Sequence, residues 1–385
     1  YYLGTVAEWH ELMDKHLPEA ERCADDALLA WYLAWLGNVR QFRGDFSGSI
    51  DFLDRANSLA VAAGDNEVMA FVSAYRIYGL GEQLRLTEAI DVGQSTKFTD
   101  ADSRDGNFRY IKGRSGLSLA LGISGDLVQS KSIADELIEI GKSTGSSRAW
   151  SLGYSFLSWH YFFTLDFERA ATLGQAGFDG AKDPLYRAMC VNNLAIARIA
   201  DLQAEPVVAL SDEWLPYFET NGNNWFKAHL QSAQGGAELA GGQLSDGLRK
   251  FIDATDDMRN AGAMASAAMA ESLLAMTYAS IARFDVKPSL KSLATNPWFV
   301  FTQAPFAARK AKALINELRE RAPRDNLDGL LSLIDLADGR LAAHQRNTAQ
   351  ATECLDRLRQ RLRSFGIDED PAPVVALAGE IASKR

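Results

Sequence analysis

The stretch that decides the fold is Leu36–Leu59, with the sequence LGNVRQFRGDFSGSIDFLDRANSL. A first helical run ends at Gly44, because glycine adopts the positive φ that a sharp turn requires. A second run begins at Phe46 and carries the small residues Ser49 and Ala56 on one face. Small side chains let two helices approach closely. The stretch therefore predicts an antiparallel helix pair.

The same kind of turn recurs along the chain about every 40 residues. In chain order, the turns fall at Gly44, Leu84, Gly125, Leu165, more weakly in Leu202–Glu205, then at Gly242 and Arg283–Asp285. A fixed period of this length indicates stacked repeats, each of which buries its apolar face only against its neighbours. We therefore predict an all-α protein, a right-handed α-solenoid or superhelix of stacked antiparallel helix pairs with essentially no sheet.

The period divides the chain into three parts of one array. Repeats occupy 1–284, an insertion occupies 285–303, and 304–385 holds a terminal helix pair and a capping helix. One period before Gly44 lies Gly4, so Tyr1–Leu3 are predicted to end a helix that begins upstream. The alternative is a short capping helix, because terminal repeats are often atypical.

The insertion holds two prolines and an aromatic cluster of Trp298, Phe299 and Phe301. A long insertion in a repeat array can be functional. The alternative is that these rings only pack on neighbouring helices, which is what Trp and Phe side chains mostly do.

Composition excludes several classes of partner. The chain has 385 residues and a net charge of −10, which repels phosphate backbones and argues against a nucleic-acid partner. Its longest apolar run, Ala27–Gly37, is far shorter than the roughly 20 residues of a membrane span. The three cysteines are far apart in sequence, so they form no CxxC metal site and suit a reducing, cytoplasmic compartment.

No catalytic, cofactor or metal motif survives inspection. Gly141–Thr144 (GKST) resembles the end of a phosphate-binding loop, but Glu136 stands where that motif needs its first glycine. His10 and His16 miss the spacing of a zinc helix, which needs its second histidine at Asp14. An enzyme on this scaffold would need acids or histidines clustered at the inner ends of several first helices, and the sequence indicates none. We predict no cofactor, no metal and no catalytic residue in this chain.

In a superhelix of helix pairs, the first helix of each pair lines the inner groove. The candidate partner-binding positions on that face are Asn38, Gln41, Ser115, Trp159, Phe162, Asn192, Asn193 and His229. Asparagine amides pair with an extended backbone and aromatic rings supply apolar area, which suits a protein or peptide partner. The alternative is that Trp159 and Phe162 belong to the core, because their helix is crowded with aromatic residues.

Two resemblances follow from these residues. The hairpin with Gly44, Phe46, Ser49 and Ala56 resembles a tetratricopeptide repeat, with a period longer than the usual length of about 34 residues. The C-terminal run is similar to the end of bacterial signalling proteins in which a class III adenylate/guanylate cyclase domain and a signal-transducing ATPase module precede tetratricopeptide-like repeats. That similarity is carried by Asn296–Phe299, Ala304–Arg309, Lys312–Ile315 and Leu327–Phe365.

The resemblance implies a regulatory region whose partner includes an upstream catalytic or ATPase domain of the same polypeptide. We expect a protein-interaction module of a cytoplasmic signalling protein that binds a protein or peptide in its concave groove. A homodimer through an end repeat is possible. The alternative is a small-molecule sensor that closes over its effector near Trp159 and Phe162 or at the Trp298 insertion.

Overall fold

The protein is built from α-helices throughout the part that the computed structural model describes, residues 5–96, 98, 102, 105–285 and 289–384, which contains no β-strand. The helices are α1 (Val6–Ala20), α2 (Asp26–Arg43), α3 (Phe46–Ala63), α4 (Asn66–Glu82), α5 (Leu86–Ser95), α6 (Phe108–Ser124), α7 (Leu127–Thr144), α8 (Ser147–Phe163), α9 (Phe167–Gly180), α10 (Pro184–Ala200), α11 (Ala204–Asn221), α12 (Asn224–Ala240), α13 (Leu244–Asn260), α14 (Met264–Arg283), α15 (Leu290–Thr295), α16 (Ala307–Asp325), α17 (Leu331–His344), α18 (Thr348–Ser364) and α19 (Ala372–Ala382). The all-α, solenoid-like fold is confirmed.

The helices form pairs, and a tight turn joins the two helices of every pair except α14/α16, which are separated by the insertion and α15. The pairs are α2/α3, α4/α5, α6/α7, α8/α9, α10/α11, α12/α13, α14/α16 and α17/α18, numbered here one to eight in that order. A residue with a positive φ follows the first helix in all eight pairs, at Gly44, Leu84, Gly125, Leu165, Leu202, Gly242, Phe284 and Arg346. The predicted turn positions are therefore confirmed, including the weak one at Leu202.

Small residues set the spacing of the pairs, as at the crossing of α12 and α13. A Cβ on Gly235 would lie 2.6 Å from the carbonyl oxygen of Gly247, and a Cβ on Gly247 would lie 2.6 Å from that of Gly235. Any larger side chain there would force the two helices apart.

The array curves until pairs five places apart in the sequence touch. The ring centroids of Phe42 and Phe226 lie 5.7 Å apart and those of Phe46 and Trp225 lie 5.2 Å apart, which joins the first pair to the sixth. Gly329, just before the eighth pair, lies so close to the third pair that a Cβ on it would overlap the carbonyl oxygen of Gly122. Because of these contacts the first helices enclose a central space instead of lining an open groove.

In the terminal part, α16 begins at Ala307 after a short 3-10 turn and runs to Asp325, with Pro323 inside its last turn. The helix ends at the left-handed Asn326, three residues after Pro323.

The aromatic residues of the insertion fall into two groups. Phe299 is buried, and the Trp298 ring packs under the guanidinium of Arg249 at 5.1 Å. Phe301 is 74% exposed. The predicted helix end at Tyr1–Leu3 and part of the insertion, residues 286–288, lie outside the described residues.

Candidate functional site

A cavity lies at the centre of the superhelix, between the first helices of the second to the seventh pairs and Leu330. The space open to the centre of a water molecule is about 60 Å³. A single buried water needs roughly 10–15 Å³. The cavity therefore holds about four or five water-sized groups, and a ligand the size of benzene, which fills a cavity of roughly 150 Å³, has to displace wall side chains.

Six of the nineteen residues that line the cavity are aromatic. Trp159 and Phe163 stack at an angle of 21° with their centroids 5.7 Å apart on α8. Trp225 faces them from α12, with Phe226 beside it at 5.0 Å. Apolar walls with a few converging polar groups are typical of ligand pockets.

Glu82 is the acidic group of this wall and is only 3% exposed. Its Oε2 accepts hydrogen bonds from the backbone N–H of Ser266 at 3.1 Å and from the Ser266 hydroxyl at 2.7 Å. Ser266 lies in the first turn of α14, whose N-cap residue, Ala263, supplies no side-chain cap. Glu82 therefore caps α14, at the positive end of that helix's dipole.

The two oxygens of the Glu82 carboxyl differ in their surroundings. Oε2 is held by Ser266, whereas Oε1 accepts no hydrogen bond from any described residue. Burial raises the pKa of Glu82 to about 7, and the two hydrogen bonds from Ser266 oppose that rise. The carboxyl is thus fixed in place with one oxygen unused.

Ser266 links Glu82 to His229 and Trp225. Its hydroxyl lies 2.8 Å from His229 Nε2 and accepts a hydrogen bond from Trp225 Nε1 at 3.3 Å. When Glu82 is ionised and accepts the one proton of that hydroxyl, His229 Nε2 carries a proton and donates to Ser266. Burial lowers the pKa of His229 to about 4, so the ring is neutral at pH 7.

The order of this chain differs from that of a nucleophilic triad. There the histidine lies between the acid and the serine and removes the serine's proton. Here Ser266 lies between Glu82 and His229, and the neutral His229 donates to it. The arrangement positions hydrogen-bonding groups without activating Ser266 through the histidine.

Asn192 is the polar group of the wall with no partner. It is 4% exposed, and both its amide nitrogen and its amide oxygen lack a hydrogen bond within the described residues. Leaving a buried polar group unpaired costs about 1–3 kcal/mol and is rare in folded proteins. Both amide atoms are covered, so a molecule in the cavity removes that cost only where the wall opens to them. Asn193, its half-buried neighbour, also lines the cavity.

A buried amine lies behind the wall. Lys112 Nζ lies over the rings of Tyr75, Tyr78 and Tyr186 at 5.7, 4.8 and 5.5 Å, and 3.8 Å from Met189 Sδ. Burial lowers its pKa to about 7. Since Tyr78 and Met189 also line the cavity, one layer of side chains separates this amine from it.

The structure brings together half of the predicted groove residues. Trp159, Asn192, Asn193 and His229 line the cavity. The other four do not line it and are buried between helices. These four residues are Asn38, Gln41, Ser115 and Phe162.

Two of these four are tied to neighbouring helices by hydrogen bonds. Gln41 Nε2 donates to the backbone oxygen of Tyr75 at 2.8 Å, and Ser115 Oγ lies 2.6 Å from the Tyr78 hydroxyl. Phe162 packs edge-on against Trp159, and Asn38 is fully buried with both amide atoms unpaired. Nothing in the structure explains the unpaired amide of Asn38.

Sequence reasoning missed Glu82, Ser266 and Trp225. Glu82 carried a usable signal, because it lies one helical turn after Tyr78 at the end of an otherwise apolar run, where a charge needs a partner. Ser266 carried none, since one serine in an alanine-rich helix is not distinctive.

Comparison with known proteins adds no identity. The chain matches no model of a known protein family, and no curated protein matches it. Within the described ranges, no helix is both long enough and apolar enough to cross a bilayer. The same ranges contain no group of three or more histidines, cysteines or acids that could hold a metal ion.

Proposed function

We propose that this protein is a helical-repeat sensor that binds a small organic molecule in its central cavity. The observation that carries the proposal is the amide of Asn192, buried in the cavity wall with neither polar atom paired. A ligand that offers one donor and one acceptor would satisfy it. The aromatic wall supplies the apolar contact that such a ligand needs.

A peptide in the concave groove, which the sequence also predicts, has less support. An extended chain needs an open channel along the inner face of the array. Contacts between the first and sixth pairs and between Glu82 and Ser266 of the second and seventh pairs occupy that face. A protein partner would bind elsewhere on the array.

The cavity is placed so that occupancy changes the shape of the array. Its walls come from six pairs, and Glu82 and Ser266 are both wall residues and the contact that joins the second pair to the seventh. A ligand that binds the closed array better than an opened one shifts the balance toward closure. That shift is a route by which an effector would change what the ends of the array contact.

A regulatory role in a larger signalling protein is part of this proposal. The support is the similarity of the C-terminal run to regions that follow cyclase and ATPase modules. The cysteines Cys23, Cys190 and Cys354 are all free, which suits the reducing cytoplasm. In this proposal the chain itself performs no catalysis. Closure of the array changes its contacts with an upstream domain and thereby the activity of that domain.

A thermal-shift screen against common metabolites tests the proposal. We expect some compounds to raise the melting temperature in proportion to the logarithm of their concentration above Kd. The Asn192→Leu variant should lose the response. Asn38→Leu is the matched control, because it removes a second buried, unpaired amide that does not line the cavity. Hits that survive unchanged in Asn192→Leu, or the absence of any hit at millimolar concentration, would contradict the proposal.

A further inference from the structure

We propose that the ligand of the central cavity is an organic cation, a protonated amine or quaternary ammonium with a small apolar body, whose charge pairs with Glu82. This inference rests on the proposed function and adds the chemical class of the ligand.

The charge of the wall selects a cation. Glu82 is the one carboxylate among the described residues that line the cavity, and no lysine or arginine lines it. His229, the other ionisable group beside Ser266, is buried and neutral. Lys112 lies outside the wall, behind Tyr78. An anion would find no positive partner in the cavity, and it would lie beside a carboxylate.

The carboxyl of Glu82 is organised to meet a charge from the cavity. Ser266 holds Oε2 through two hydrogen bonds, which fixes the plane of the group and leaves Oε1 without a partner among the described residues. A charge-assisted hydrogen bond to that oxygen is about twice as strong as a neutral one. A ligand without a positive charge would leave Glu82 either protonated or ionised and uncompensated.

The rest of the wall suits the body of such a ligand. Trp159, Trp225 and Tyr78 all line the cavity. Aromatic faces attract cations, and tryptophan is the strongest of the three ring types. Asn192 adds an unpaired donor and acceptor, which would orient a hydroxyl or a second N–H of the ligand.

Ionisation of Glu82 sets the pH dependence of binding. The groups that face it are Tyr78 on its own helix, Lys112 on α6 beyond the Tyr78 ring, and the neutral His229 on α12 across Ser266. From α14 it meets the Ser266 hydroxyl, while α2, α3 and α5 contribute no charged group to the wall. Since the pKa of Glu82 is near 7, binding of a cation should tighten as the pH rises from 6 to 8 and release protons.

Calorimetric titration with a matched pair of probes tests the inference. Benzylamine, a cation below pH 9, and benzyl alcohol, its neutral counterpart, would be titrated at pH 6, 7 and 8, with tetramethylammonium as a second cation. We expect benzylamine to bind about tenfold more tightly than benzyl alcohol at pH 8. That preference should shrink at pH 6.

The variant Glu82→Gln keeps an oxygen to accept the Ser266 hydrogen bonds and removes the charge. It should lose the preference for benzylamine, whereas Asn38→Leu should keep it. If Glu82→Gln fails to fold, the same pH series on Lys112→Met, which removes the other nearby group with a pKa of about 7, gives the second readout.

The possible failures are distinguishable. If benzyl alcohol binds as tightly as benzylamine, or if neutral metabolites bind and both cations do not, the ligand class is wrong and the cavity's role stands. If neither the probes nor any metabolite bind, both the ligand class and the proposed function are wrong.

Discussion

Glu82 caps the helix that contains Ser266, across 184 residues of sequence, by accepting hydrogen bonds from both its N–H and its hydroxyl. Glu82 is the last residue of a helix of the second pair, and Ser266 lies in the first turn of a helix of the seventh pair. One carboxyl thus closes the superhelix, completes a helix N-terminus and forms part of the cavity wall. Stability and ligand binding are coupled through this side chain.

Replacing Glu82 by glutamine should stabilise the protein increasingly as the pH rises. Between pH 4.5 and about 7 the unfolded chain ionises at Glu82 while the folded protein stays protonated, so the wild type loses stability over that window. Glutamine cannot ionise. We expect the difference in unfolding free energy, measured by urea denaturation, to grow by on the order of 2 kcal/mol between pH 4.5 and 8.

The matched control is Glu213→Gln, at an exposed position on α11. Its effect on the unfolding free energy should be small. A difference between Glu82→Gln and wild type that does not change with pH would contradict the buried, partly protonated carboxyl.

Replacing His229 by glutamine should reduce the sensitivity of the protein to acid. The unfolded chain takes up a proton at this histidine below pH 6.5, whereas the folded protein does so only near pH 4, so wild-type stability falls as the pH drops through that window. Glutamine Nε2 can still donate to Ser266. We expect the variant to lose on the order of 2 kcal/mol less than wild type between pH 6.5 and 4.

His344→Gln serves as the comparison, because His344 is exposed at the end of α17. Acid unfolding followed by circular dichroism would show whether the two variants differ. Equal acid sensitivity of His229→Gln and wild type would mean that His229 is not buried in its neutral form.

Replacing Asn192 by leucine should stabilise the empty protein while abolishing ligand binding. The substitution removes two unpaired polar atoms from the cavity wall and fills space with apolar groups. We expect a gain of about 1 kcal/mol in thermal or urea unfolding. Asn38→Leu should give a similar gain with binding intact. A loss of stability in Asn192→Leu would show that its amide is satisfied in solution, for example by water.

Shortening Phe42 to alanine should open the superhelix. Its ring is 3% exposed and contacts both Phe226 and Trp225 of the sixth pair. We expect a loss of about 3–5 kcal/mol. Acrylamide should also quench the fluorescence of the partly buried Trp225 more strongly, because its ring becomes more accessible. Leu28→Ala, at an exposed position of the same helix, should change neither property. A destabilised Phe42→Ala protein with unchanged quenching would argue that closure does not depend on this contact.

The helix pairs could be predicted from the sequence because their determinants are local. The turns at Gly44, Leu84 and Gly125 follow from one residue type or one short motif each, repeated at a fixed period. Even the weak turn at Leu202 adopts the same left-handed conformation, which shows that the period is a stronger guide than the identity of the turn residue.

The closure could not be predicted because it depends on curvature summed over five pairs. A small change in the angle between neighbouring pairs would separate Phe42 from Phe226 completely. The unknown curvature also limited the prediction of the site. The positions of Trp159, Asn192 and His229 on first helices assigned them to the inner face. Which inner residues meet at the centre, and which pack between helices as Gln41 does, depends on that curvature.

The central claim is that a small cation enters the cavity between α8 and α12, and nuclear magnetic resonance of the tryptophan indoles tests it most directly. The chain has eight tryptophans, of which Trp159 and Trp225 line the cavity. On titration with benzylamine at pH 8, the indole N–H signals of these two, assigned by Trp→Phe variants, should shift together and saturate while the other six stay in place. Saturable shifts confined to the other tryptophans, or no shift at all, would contradict the account.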